Sequence, residues 1–138
     1  MIEIKSKISG EVIHMVYTQS DFTKQRTELV NADNFIQCSH LKLERGKTFR
    51  PHKHIWKEPT FNSMIAQESW VVMRGSVQAS FFDLDGSHLS DATLNQGDVS
   101  FTLQGGYNYL ILEDDTVVYE YKTGPYTGQE NDKEFIDQ

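Results

Sequence analysis

The apolar residues of this chain fall into short runs, and almost every run stops at a turn-forming group. From Asn34 onward the runs are Phe35–Leu43, Thr48–His54, Glu68–Arg74, Ser76–Asp83, His88–Leu94, Val99–Leu103, Tyr107–Leu112 and Val117–Lys122. Between them stand Glu44-Arg45-Gly46, Arg74-Gly75, Asp85-Gly86, Asn95-Gln96-Gly97-Asp98, Gly105-Gly106 and Glu113-Asp114-Asp115. Runs this short are strands, and Asp85-Gly86 suits a two-residue hairpin because both residues tolerate positive φ. Strands at this spacing predict an all-β antiparallel fold, closed or double-sheeted: a sandwich or jelly roll.

Ahead of this block, residues 1–34 read as an N-terminal arm. It carries strands at Met1–Lys5 and Val12–Tyr17 and a single helical turn capped at Ser20-Asp21. Residues 35–123 form the barrel, and the polar tail 124–138 runs over the surface. A chain of 138 residues is one domain with room for a real core. Its net charge of −7 argues against nucleic acid or an anionic membrane as partner. A small anionic substrate needs only a few local cations and stays open. Cys38 is the single cysteine, which excludes an internal disulfide and a four-cysteine metal site. The N-terminus has no apolar core of signal-peptide length, so the expected location is cytoplasmic. The arm offers a sheet edge to a second copy, and the expectation is a homodimer with exchanged arms.

The chemistry concentrates around His52, His54 and Glu68. On a strand the two histidines point the same way, roughly 7 Å apart at Cα, and Pro51 stiffens their approach. Glu68 opens the following strand with Trp70 and Val72 on its face, and a carboxylate there needs a partner or an ion. A two-histidine, one-carboxylate set holds a divalent transition metal (zinc, iron(II), nickel or manganese) with positions open for substrate. Alternatively the histidines act directly as acid and base. His40 shares a face with Cys38 and Lys42 and is either a further ligand, an acid/base or a hydrogen-bonded barrel histidine. Arg50 shares the face of His52 and His54 and is suited to gripping a phosphate or carboxylate. Trp70 suits a pocket wall, and among the tyrosines Tyr107 is a candidate donor to substrate. His14 and His88 look incidental. The 13 residues from Ile55 to Gln67, with Trp56, Phe61 and Met64, read as a lid at the site's mouth.

The glycine spacing adds a resemblance. Gly46, five residues, His52-x-His54, a longer loop, Glu68, six residues and Gly75 resemble the first cupin motif, G-x5-H-x-H-x3-4-E-x6-G. Gly97 to Asn108 resembles the second, with Leu103 in the usual proline place and Asn108 where a third metal histidine belongs. TFRPHKH, ESWVVMRGSVQASFFDLDG and KTGPYTGQENDKEF look like WbuC-type cupin-fold metalloproteins, associated with O-antigen and other surface-polysaccharide gene clusters. The resemblance covers residues 40–136. It implies a metal-binding cupin jelly roll (double-stranded β-helix) working near sugar or nucleotide-sugar chemistry, with an isomerase or epimerase as the expected activity. A non-catalytic cupin that senses a small molecule or metal is the alternative. By position Asn108 faces the pocket, where it ligates a hard ion, contacts substrate or sits in a vestigial site.

Overall fold

A computed structural model describes residues 1–54, 58–59, 61–125 and 128–136. Among these the fold is all-β and antiparallel, as the pattern of runs and turns predicts. The strands are β1 (Ile2–Lys5), β2 (Val12–Tyr17), β3 (Arg26–Glu28), β4 (Ser39–Leu41), β5 (Glu68–Arg74), β6 (Ser76–Phe82), β7 (His88–Asn95), β8 (Val99–Thr102), β9 (Gly106–Ile111) and β10 (Val117–Lys122). They form a five-stranded sheet in the order β1-β2-β8-β5-β10, a three-stranded sheet β7-β6-β9 and a two-stranded ribbon β3-β4.

Strand alternation assigns the faces. Across the large sheet, Glu68 pairs with Thr102 and Thr102 with His14, while Trp70 lies between Ser100 and Glu120. These residues share the inner face with Ile4, Val16 and Val72, which pack against Val77, Ala79, Phe81 and Leu94 of the small sheet. Phe81, fully buried, anchors this layer; truncation to alanine at such a site costs about 3–5 kcal/mol. The outer face of the large sheet carries Met15, Tyr17, Val99 and Phe101 and is covered by Leu29, Val30, Ile36 and Leu103. The chain is therefore a sandwich with one sheet covered on both sides. No closed barrel forms among the described residues, and β9 and β10 each lie at a sheet edge.

Several expectations need correction. Met1–Lys5 and Val12–Tyr17 are no free arm: β2 pairs with both β1 and β8 inside the large sheet of its own chain. The strand expected over Phe35–Leu43 shrinks to β4, which pairs with β3, a strand too short and polar to stand out in the sequence. Thr48–His54 forms no strand, and every residue from 41 to 54 is exposed. Pro51 removes a ladder donor, and Lys47, Arg50 and Lys53 favour water over a sheet face. The helical turn is real, over Gln19–Asp21, with the Thr18 N–H donating to Asp21 Oδ2 at 2.8 Å. The tail folds a second turn at Gln129–Asn131.

Candidate functional site

Glu68 begins β5, where strand alternation turns its side chain inward, and it is only 8% exposed. Two donors meet its carboxylate: the Trp70 indole, 3.1 Å from Oε1, and the Tyr107 hydroxyl. Neither carries charge. Burial therefore dominates and raises the Glu68 pKa above the ordinary carboxylate value, with the charge of Glu120 adding to the rise. The Tyr107 and Lys122 contacts act in the opposite direction.

The same indole N–H also reaches Glu120 Oε2, at 3.3 Å. Glu120 lies directly across from Trp70 on β10, but it is exposed to solvent. Trp70 stacks on Tyr109 with ring centroids 3.9 Å apart and planes at 11°, and Tyr107 lies 5.5 Å from Tyr109. This aromatic wall joins the two sheets. Tyr109 shares a hydrogen bond with Ser100 at 2.9 Å, and burial pushes both tyrosine hydroxyls well above their ordinary pKa. Both phenols therefore stay protonated through neutral pH; Tyr107 donates to Glu68, and in the Ser100–Tyr109 pair either hydroxyl can be the donor. This region thus offers an aromatic wall, two protonated phenols already hydrogen-bonded to Glu68 and Ser100, and two carboxylates in unlike surroundings.

Of the residues singled out in the sequence, Glu68, Trp70 and Tyr107 come together. The others do not join them. Asn108 pairs with Ser80 on the outer face of the small sheet and is exposed, whereas Tyr107 and Tyr109 take the inner positions. Asn108 therefore does not take an inner position on β9, because neighbouring residues on a strand point to opposite faces. His40 belongs to β4 on the outer side of the large sheet, where it stacks on Phe22 at 4.0 Å. It lines a shallow depression with Gln19, Lys42 and Gly97, at the opposite end of β8 from Thr102 and Glu68. His52, His54 and Arg50 are exposed.

The two imidazoles face one another with centroids 5.6 Å apart, and His52 Nδ1 lies 3.0 Å from the Arg50 carbonyl. Glu68, meanwhile, is engaged by Trp70 and Tyr107. Among the described residues no three His, Cys, Asp or Glu side chains converge as metal ligands, so the expected His52, His54 and Glu68 set is not assembled in this arrangement. The proton chemistry available in the cleft is that of the carboxylates and phenols. Part of the expected lid, Ile55–Lys57 with Thr60, lies outside the described residues; of the remainder, Phe61 packs edge-on against Phe35 at 4.9 Å.

Sequence reasoning missed Glu120 and Lys122, and counted Tyr109 only among the core or rim tyrosines. The signal for the two charges was present in the alternation of Val118, Glu120 and Lys122, which sets them on the face that Val118 packs inward. His14 was also undervalued. It is fully buried between the sheets, with Nε2 3.0 Å from the Phe82 carbonyl and Nδ1 3.1 Å from Thr102 Oγ1. Comparison with protein-family models, curated proteins and solved structures gives no match.

Proposed function

We propose that the cleft around Glu68 binds a sugar and moves a proton on it, in an isomerase- or epimerase-type reaction with Glu68 as acid/base. The observation that carries this reading is the pair of unlike carboxylates on one indole N–H. Glu68 is buried and biased toward its neutral form, whereas Glu120 is exposed. A carboxyl whose pKa burial has raised is, once ionised, a stronger base for taking a proton from carbon and returning it. In such a step the C–H bond beside a carbonyl breaks, its proton passes to Glu68, and its electron pair forms the double bond of an enediolate. Return of the proton to the former carbonyl carbon, with the hydroxyl proton passing to the oxygen that gained charge, gives the isomer; return to the opposite face of the original carbon gives the epimer. Tyr107, held protonated, donates its one hydroxyl hydrogen to Glu68 and so holds that carboxyl in place. The aromatic wall of Trp70 and Tyr109 suits the apolar face of a sugar ring. Nucleotide-linked sugars of surface-polysaccharide synthesis are the substrates that the cupin-like motifs suggest.

The divalent metal belongs to this proposal as a separate part. The 5.6 Å approach of the His52 and His54 rings supports a metal held by these two imidazoles, with further ligands to be supplied. A non-catalytic sugar-binding role is the second reading, favoured by the two donors that already satisfy Glu68. Incubating the protein with aldoses, ketoses and nucleotide-linked sugars in D2O separates the two. Solvent deuterium entering a carbon beside the carbonyl, and its loss in Glu68→Gln, supports the enzyme. Binding without deuterium incorporation overturns it in favour of the binding module.

A further inference from the structure

Beyond β10 the chain does not leave the sandwich. Lys122 pairs with Glu68 in the register of β10 on β5, and its Nζ meets Asp132 Oδ2 at 3.0 Å, both side chains being mostly shielded. Four residues later Ile136 rests on the other sheet. An added Cβ on Gly106 would fall 2.2 Å from Ile136 Cδ1, and one on Gly86 would fall 3.1 Å from its Cγ2. Gly106 pairs with Phe82, whose carbonyl accepts from His14 on the large sheet. Asp132 and Ile136 therefore touch opposite sheets at the end of the sandwich where Glu68 lies.

We infer that residues 128–136 form a movable strap across the end of the sandwich where Glu68 lies, latched by Asp132 on Lys122 and by Ile136 on Gly106 and Gly86, and that this strap limits which molecules reach Glu68. Its relevance to substrate choice rests on reading the cleft as the ligand site; the latch itself does not. The segment has the properties of a part that opens. Its turn at Gln129–Asn131 has no buried residue, Phe135 is 74% exposed and Ile136 itself is 36% exposed, so little apolar burial holds it down. Among the described residues its attachments include one ion pair and one side chain on a glycine seat. Gly106 has an ordinary φ, so alanine there strains nothing in the backbone, and its nearest obstacle is the flexible end of Ile136.

The experiment is hydrogen–deuterium exchange of residues 128–136 together with acrylamide quenching of Trp70, made the sole indole by Trp56→Phe. Gly106→Ala and Ile136→Ala should each raise exchange in this segment roughly tenfold. Both should increase quenching of Trp70 while exchange in β5 and β8 stays unchanged. Gly106→Ala added to Ile136→Ala should add far less than it does alone, because its closest clash is with the side chain already removed and only the 3.3 Å approach to Phe82 Cβ remains. Asp132→Asn should open the strap from the other attachment. Unchanged exchange in Gly106→Ala, or additive effects in the double variant, would overturn the latch. Should Gly106→Ala loosen the whole sandwich, Ile136→Ala alone decides, and unchanged exchange there overturns it too. These readouts need no sugar, so failure of the latch is distinct from failure of the proposed reaction.

Discussion

Glu68 and Glu120 accept from one donor, the indole N–H of Trp70, at 3.1 and 3.3 Å. One donor cannot neutralise two carboxylates, and the buried member of the pair bears most of the cost. Glu68 therefore holds its proton more firmly than an ordinary glutamate, whereas Glu120 keeps its water. That division is the basis for assigning Glu68 the proton-transfer role.

The first prediction follows from it. A carboxyl whose pKa is raised by folding binds its proton more tightly in the folded chain than in the unfolded one. The stability linked to that proton is complete below the ordinary value of 4.5 and disappears as pH rises through the raised one. Glu68→Gln has no such titration. Relative to Glu68→Gln, the native chain should therefore lose stability as pH climbs, read from urea midpoints between about pH 4 and 8. Parallel midpoint curves for the two proteins would mean that Glu68 is not desolvated.

The second prediction concerns the aromatic wall. Trp70→Phe keeps a ring against Tyr109 but removes the shared donor, so it should raise the Glu68 pKa further and move the acidic limb of any pH–rate profile upward, because Glu68 must be ionised to take the proton. Tyr107→Phe should do the same by removing the other donor. Trp70→Ala should instead weaken sugar binding by about tenfold or more, the scale of one lost stacking contact in a small-ligand site. A Trp70→Phe profile that shifts to lower pH contradicts the donor role.

How far the sequence carried these conclusions depends on the kind of signal. Alternation placed Glu68, Trp70 and Val72 on one face, and that face is inward because each has an apolar or shielded partner on β8 or β10. The same rule misplaced Asn108. Tyr107, Asn108 and Tyr109 all suit a pocket, and only the pairing of Tyr107 with Phe81 and Tyr109 with Ala79 decides which face turns inward. His52 and His54 fit a strand pattern locally, but a strand needs a neighbour, and the pairing of a segment rich in Lys and Arg cannot be read from its own residues. His14 looked incidental because its partners are a carbonyl 68 residues away and a hydroxyl 88 away.

The third prediction tests the metal. If His52 and His54 hold a divalent ion, nickel or zinc should bind the purified protein and raise its thermal midpoint, and His52→Ala with His54→Ala should abolish both effects. With Glu68 committed to Trp70 and Tyr107, Glu68→Gln should leave that affinity unchanged. Tenfold or greater weakening in Glu68→Gln would show that all three side chains meet on the ion, in an arrangement of residues 48–54 other than the one described.

The fourth prediction concerns His14, whose two ring nitrogens tie Thr102 on β8 to the Phe82 carbonyl at the end of β6. Burial lowers its pKa below the ordinary 6.5, so its neutral form belongs to the fold. The associated stability is present above that ordinary value and lost as pH falls through the lowered one, the reverse of the Glu68 effect. His14→Phe preserves a ring beside Phe81, which lies 4.8 Å away, and removes both hydrogen bonds. It should cost about 1–3 kcal/mol at neutral pH, because the Thr102 hydroxyl and the Phe82 carbonyl are left buried without this partner. Thr102→Val in the same background should recover part of that loss by removing one orphaned group. A double-variant cycle on urea midpoints measures the coupling, with about 0.5–3 kcal/mol expected for groups in contact. If the two substitutions simply add, the imidazole is not what joins the sheets at the Glu68 end of the cleft.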